Sequence, residues 1–223
     1  MAARFPRMNP ERLRGFGPEG LAAIVLILAA AFVSTALGAV LVLVWARVSL
    51  TPWADLGFAR PKSWWACVAI GVTLGVGLKL VLKSLVMPWL GAPAMNAHFA
   101  YLVGNTAALP GMAILLFVDA GFGEETFFRG YLFERLGRLL GPSRAARAVI
   151  LVLTSALFAA AHLADQGVPG AEQALLTGLT FGTVYLATRQ LWIPMIAHVA
   201  YDVTAVAMIY SGWESRVAHW FFR

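Results

Sequence analysis

Long apolar runs broken by short polar stretches organise this chain. The first run extends from Leu21 to Trp45, behind the basic residues 1–20. A hydrocarbon core about 30 Å thick needs roughly 20 apolar residues per helix, so this run is long enough to span. It is too long for a signal-peptide core and lacks a small-residue cleavage site before a polar region, so a retained first span is expected. Ser49 to Lys62 mixes Trp53, Leu56 and Phe58 with Asp55 and Arg60, the pattern of an interfacial stretch between spans. A second span is expected from Trp64 to Met87. In it, Gly71 and Gly75 carry the spacing that admits a close helix neighbour. Lys79 and Lys83, one turn apart near its end, are expected to snorkel toward headgroups, with substrate contact the lesser alternative.

Pro88 to Pro110 holds three prolines, two glycines, Asn96 and Asn105, and reads as an irregular connection with a partial helix around Phe99 to Val103. Further spans are expected at Gly111–Leu140, Ala148–Leu163, Ala171–Thr188 and Ile193–Tyr210. The fifth repeats the small-residue spacing at Gly178 and Gly182, and the last opens on Pro194, a residue suited to a first helical turn. The pattern predicts an all-α fold: a polytopic membrane helix bundle with about six to seven transmembrane helices.

Composition strengthens this picture. Of 223 residues, 60% are apolar and 13% charged, against about 25% charged in a typical soluble domain, and the mean hydropathy is +0.76. The formal charge of +6 does not imply nucleic acid, because the basic residues sit at the ends of apolar segments and do not alternate with exposed aromatics. Anchoring to the lipid bilayer is the expected role. Arg supplies 14 of the 17 basic residues, a bias that suits a high-GC bacterium and a multi-pass place in its inner membrane. With Cys67 the sole cysteine, an internal disulfide and a cysteine-rich metal site are excluded, and a helix-packing role is expected. Orientation stays open. The Arg-rich N-terminus opposes the cluster Arg135, Arg138, Arg144 and Arg147 if there are six spans, and a half-span within residues 88–110 would reconcile them.

The informative residues are those that do not belong in a bilayer. An ionisable group at a helix centre costs at least about 2.5 kcal/mol on insertion scales, so each should face a protein interior or a wet cavity. They are Glu124, Glu125 and Arg129 in the third span, His162 at the end of the fourth, and His198 with Asp202 in the sixth. Asp119 and Glu172 lie near expected helix ends, where interfacial or capping roles suffice. Glu125 and Arg129 are four apart and share a helix face, so they can neutralise each other. Glu124 points about 100° away and is left without a built-in partner, free to act as a general base. The plainer alternative is that both acids serve Arg129 and staple helices. Taken alone, His162 would be a packing residue, with Phe158 one turn before it. His198 and Asp202 repeat the one-turn spacing.

Together these residues form a recognisable order. Glu124-Glu125-Thr126-Phe127-Phe128-Arg129 matches EExxxR, Phe158 to His162 matches FxxxH, and His198 to Asp202 matches HxxxN/D. In this the chain resembles the CAAX-protease and bacteriocin-processing family, also called CPBP or Abi, over about residues 110–210. The resemblance divides the chain into a basic N-terminal segment (1–20), N-terminal membrane helices with a connecting loop (21–109), a catalytic helix core (110–211) and a C-terminal tail (212–223).

The resemblance implies an intramembrane endopeptidase whose site comprises Glu124, Glu125, His162, His198 and Asp202. Glu124 would activate water, His162 would hold it and shuttle its proton, and His198 with Asp202 would stabilise the oxyanion. Glu125 and Arg129 would be a structural pair, and Phe158 would pack beneath the histidine. Better-known relatives carry Asn where this chain has Asp202. An ionised carboxylate only accepts hydrogen bonds, so Asp202 must be protonated, orient His198 or bind something positive. The last option admits zinc, for which Glu, two His and Asp are adequate ligands. Members of the family have been described both ways. A metal-free glutamic enzyme with no cofactor is preferred, because HExxH is absent and water held by Glu124 and His162 already supplies base and nucleophile.

Other intramembrane proteases fit less well. No GxSxG-like serine, no GxGD partner for Tyr201-Asp202 and no HExxH occurs. The alternatives are a non-enzymatic immunity or scaffold protein, and a small transporter using the same buried charges; no internal symmetry favours the latter. The expected partner is a membrane protein or peptide-precursor substrate. Prenylated CAAX proteins are the eukaryotic role of relatives, whereas a bacterial member would trim a peptide precursor, a membrane-anchored protein or a sorting tail.

Overall fold

The computed structural model describes residues 9–222; residues 1–8 of the basic N-terminal segment and Arg223 lie outside the described residues. Among the described residues the architecture is entirely helical. A short helix α1 (Pro10–Arg14) is followed by α2 (Pro18–Val33) and α3 (Thr35–Val48). Then come α4 (Trp64–Trp89), α5 (Thr106–Leu140), α6 (Arg144–Thr188) and α7 (Trp192–Tyr210), each long and apolar enough to cross a membrane. A final short helix, α8, spans Glu214–Ala218. Large apolar side chains such as Phe32, Val25, Trp65 and Ile114 face outward, as a chain solvated by lipid requires.

The run expected as a single first span is instead a hairpin. Ser34 adopts extended backbone (φ −161°, ψ 132°) between α2 and α3. Trp45, near the end of α3, donates its indole N–H to the Leu13 carbonyl ahead of α2 at 3.0 Å, so α3 returns to where α2 began. Ile27 and Val42 meet in one core cluster. At 1.5 Å per residue the limbs are about 24 and 21 Å long, short of a hydrocarbon core about 30 Å thick. The hairpin therefore enters and leaves on one side. Its tip is held by Asp119 of α5, whose Oδ1 accepts from Ser34 Oγ at 2.9 Å and from the Ala36 amide at 2.8 Å. Asp119 is thus a capping residue, but for α3 rather than for the helix that carries it.

α6 doubles back at Gly167, whose φ of 66° and ψ of −167° fall where side-chain-bearing residues are strained. Its limbs, residues 144–166 and 168–188, pack antiparallel, with Gly178 against Ser155 and Gly182 against Leu151. They correspond to the fourth and fifth expected spans. Seven apolar helical segments build the expected polytopic helix bundle, but the two hairpin limbs are too short to count among the six to seven expected transmembrane helices. The other small-residue pair joins α4 to α7: Gly71 lies against Ile193 and Ile196, and Gly75 against Ala197 and Tyr201. A side chain at Gly75 would collide with the Ala197 carbonyl, so this glycine sets how closely α4 approaches the helix that carries His198. Cys67 is buried on α4.

Hydrogen bonds tie together one end of the bundle. Arg135 reaches the Arg14 carbonyl at 2.9 Å, the Leu191 amide donates to the Gly57 carbonyl at 2.9 Å, and Trp192 donates to the Ala59 carbonyl at 3.0 Å. The N-terminal turn, the 49–63 connection, the end of α5 and the link to α7 therefore share this end. With them come Arg12, Arg14, Arg47, Arg60, Lys62, Arg135, Arg138, Arg144, Arg147 and Arg189. The opposite end carries the 90–105 connection, the Gly167 turn and α8, with Arg216. The conflict over orientation disappears because the re-entrant element is α2–α3 and not residues 88–110, whose middle, 90–105, holds only a brief 3-10 turn at Ala100–Leu102 between the end of α4 and the start of α5.

Candidate active site

α5 carries the first group of site residues in an unusual winding. Leu115–Leu132 is a π-helix, with i→i+5 hydrogen bonds and more residues per turn than an α-helix. Neighbouring side chains therefore diverge by less than the 100° of an α-helix. Glu124 and Glu125 consequently face the same imidazole, one on each nitrogen. His198 donates from Nδ1 to Glu125 Oε1 at 2.7 Å. Its Nε2 lies 3.7 Å from Glu124 Oε2 and 3.6 Å from Asp202 Oδ2. Glu125 is fully buried and also accepts from Arg129 at 2.7 Å. The spacing-based expectation of a Glu125–Arg129 pair holds, but it omitted that Glu125 anchors His198.

The two glutamates are thereby set apart. Glu125 has an arginine and a histidine on Oε1 and a buried, unpartnered Oε2, whereas neither oxygen of Glu124 is hydrogen-bonded among the described residues. Yet 17% of the Glu124 side chain is exposed, against none for Glu125, so Glu124 looks onto open space. The gaps of 3.6–3.7 Å around His198 Nε2 exceed a direct hydrogen bond.

Phe158 joins the elements of the site. Its ring centroid is 4.5 Å from that of His162 and 6.0 Å from that of His198, and the Arg129 guanidinium lies 4.6 Å over its face. His162 places Nδ1 2.8 Å from the Phe158 carbonyl. A carbonyl can only accept, so Nδ1 carries the hydrogen, and in the neutral ring Nε2 is left with a free lone pair. The other face of His198 meets Phe181 at 5.4 Å, a contact that nothing in the apolar pattern of the fifth span distinguishes from ordinary packing.

Glu124, His162, His198 and Asp202 line one cavity of about 700 Å³, which runs toward the 90–105 connection, the Gly167 turn and Glu214. That volume suits a small ligand or a short peptide segment. Lys79 and Lys83 also line it. They are only 9% and 7% exposed, so the snorkelling expected of them does not occur: both turn inward, where polar partners inside the bundle replace headgroups. Lys83 pairs with Glu214 at 2.7 Å, and Glu214 accepts the Asn96 amide at 3.1 Å, binding the tail and the 90–105 connection to α4. Lys79 donates to Gln173 Oε1 at 3.1 Å. Glu172 lies half-buried on the same limb as Gln173. Glu124, His198 and Asp202 offer the donors nearest one another for a metal, but among the described residues no three such side chains converge as a metal centre.

The fold and the site together define a helical membrane bundle with an acid–histidine cluster lining a cavity. Residues 106–204 match the Rce1-like family, described as type II CAAX prenyl endopeptidase Rce1-like. Over this segment the chain is similar to the CAAX-type protease family. All three sequence motifs fall within it. No curated protein and no solved structure matches the chain.

Proposed function

We propose that this chain is a glutamic-type intramembrane endopeptidase that hydrolyses a peptide bond of a membrane-associated protein or peptide precursor, with Glu124 as general base. The observation that carries this reading is the division of labour between adjacent glutamates. Glu125 is committed to Arg129 and His198, while Glu124 lines the cavity and makes no side-chain hydrogen bond among the described residues.

Glu124 takes a proton from water as the water oxygen attacks the substrate carbonyl, assisted by the free Nε2 of His162. The C–O bond forms and negative charge moves to the carbonyl oxygen. His198 acts as the imidazolium, with Nδ1–H held by Glu125 and Nε2–H offered to that oxyanion, and Asp202 completes its surroundings. Collapse breaks the C–N bond, and the proton held by Glu124 or His162 passes to the leaving amine. Water supplies the added atoms, and no cofactor enters the balance.

The positive-inside rule puts the Arg-rich end of the bundle in the cytoplasm, in keeping with a bacterial inner membrane. The cavity runs toward the opposite end, so substrate reaches Glu124 from the non-cytoplasmic half of the bilayer.

The test is a comparison of protein termini in membranes from cells carrying the wild-type chain and Glu124→Gln. Cleaved termini restricted to the wild type support the reading and name the substrate. Identical termini in both, with the substrate pool shown to be expressed, overturn it.

A further inference from the structure

We infer that Lys79 and Gln173 form a carboxylate-binding subsite within the cavity, one that seats an anionic group of the bound peptide. The inference rests on the protease reading for the identity of its ligand as a peptide, and it concerns a helix, α4, that lies outside the matched segment 106–204.

Two lysines one turn apart on α4 enter the same cavity and are treated differently. Lys83 is neutralised by Glu214 at 2.7 Å. Lys79, one turn deeper, is 9% exposed and has no carboxylate within 4.0 Å among the described residues. Its direct contacts are a single hydrogen bond to Gln173 and the Tyr201 ring, whose centroid is 4.7 Å from Nζ, while the Asp202 and Glu214 carboxylates and the Lys83 ammonium lie in the same cavity beyond ion-pair distance of it. An ammonium has three N–H donors, so most of its hydrogen-bonding capacity is unfilled. A cation held inside a bilayer with no anion in direct contact is expensive, and such residues characteristically mark a ligand path.

The neighbouring amide is oriented to help. Lysine can only donate, so the atom it meets on Gln173 is the oxygen. Tyr201 donates to that same oxygen at 3.0 Å. Both contacts turn the Gln173 oxygen toward α4 and α7, leaving its amide N–H pair for the cavity that Gln173 also lines. One ammonium beside one amide N–H pair suits the two oxygens of a carboxylate. A peptide offers such a group as its C-terminus or as an Asp or Glu side chain, and in this apolar setting either needs a cation to remain charged. Tyr201 directly precedes Asp202, so the subsite adjoins the reacting centre.

The test measures binding and needs no turnover, so its outcome is separate from that of the protease reading. Full-length Glu124→Gln protein in detergent micelles would be titrated with dansyl-Ala-Leu-Ala-Leu as the free acid, as the C-terminal amide, and as an amide with Glu in the last position. Energy transfer from the protein's tryptophans reports binding. The free acid, the Glu-containing amide or both should bind about ten- to a hundredfold tighter than the plain amide, the span of a charge-assisted hydrogen bond. Which of the two gains identifies the source of the carboxylate. Adding Lys79→Met should abolish the preference and leave the plain amide unchanged, while Lys79→Arg should keep it. If Lys79→Met loses the plain amide as well, Lys79→Gln serves as the second neutral variant. Equal binding of all three peptides, no binding of any, or a preference that survives loss of the charge overturns the inference.

Discussion

His198 stands between two adjacent glutamates, with Nδ1 2.7 Å from Glu125 Oε1 and Nε2 3.7 Å from Glu124 Oε2. The same imidazole is thus anchored on one side and open to chemistry on the other. The consequence is a sharp difference between two conservative substitutions. Glu124→Gln should abolish turnover and leave the thermal midpoint nearly unchanged, since its oxygen holds nothing in place. Glu125→Gln removes the partner of a buried arginine and should cost about 3–5 kcal/mol of stability, along with activity. Thermal unfolding in detergent, read beside turnover, separates them; equal destabilisation by both would contradict the assigned roles.

Asp202 lies 3.6 Å from His198 Nε2 and 22% of its side chain is exposed, so it shares the open side of the imidazole. Asp202→Asn supplies an amide N–H in the same volume and should keep turnover within about tenfold, whereas Asp202→Ala should lose about 10²–10³, the scale of a missing oxyanion donor. The pH–rate profile of the Asn variant should show one ionisation fewer. Equal loss in Asn and Ala variants would show that the carboxylate itself is required.

A metal-free mechanism predicts full turnover after incubation with a strong chelator and dialysis. Loss of activity restored by zinc would instead assign Glu124, His198 and Asp202 to a metal.

The asymmetry of basic residues can be checked by labelling. In a Cys67→Ser background, Met95→Cys at the cavity end should react with a membrane-impermeant maleimide in intact cells. Arg60→Cys at the basic end should react only after lysis. The reverse pattern would put the cavity mouth in the cytoplasm.

Much of this protein is written locally. Apolar run length and charge depletion determine that it is a helical membrane bundle, because a bilayer leaves helices as the available way to satisfy the backbone of such runs. The one-turn spacings Glu125–Arg129, Phe158–His162 and His198–Asp202 identify the polar residues of the cavity, since residues four apart share a helix face. The sequence could not reveal what depends on other helices. Ser34 breaks an otherwise continuous apolar run because Asp119, 85 positions away, helps cap the second limb. The π-winding of α5 turns both glutamates toward His198, where regular α-helical phase separates them. Lys79 and Lys83 turn inward because Gln173, Tyr201 and Glu214 wait there. Run length and periodicity report a residue's relation to its own helix, and only packing decides which groups from distant helices it meets.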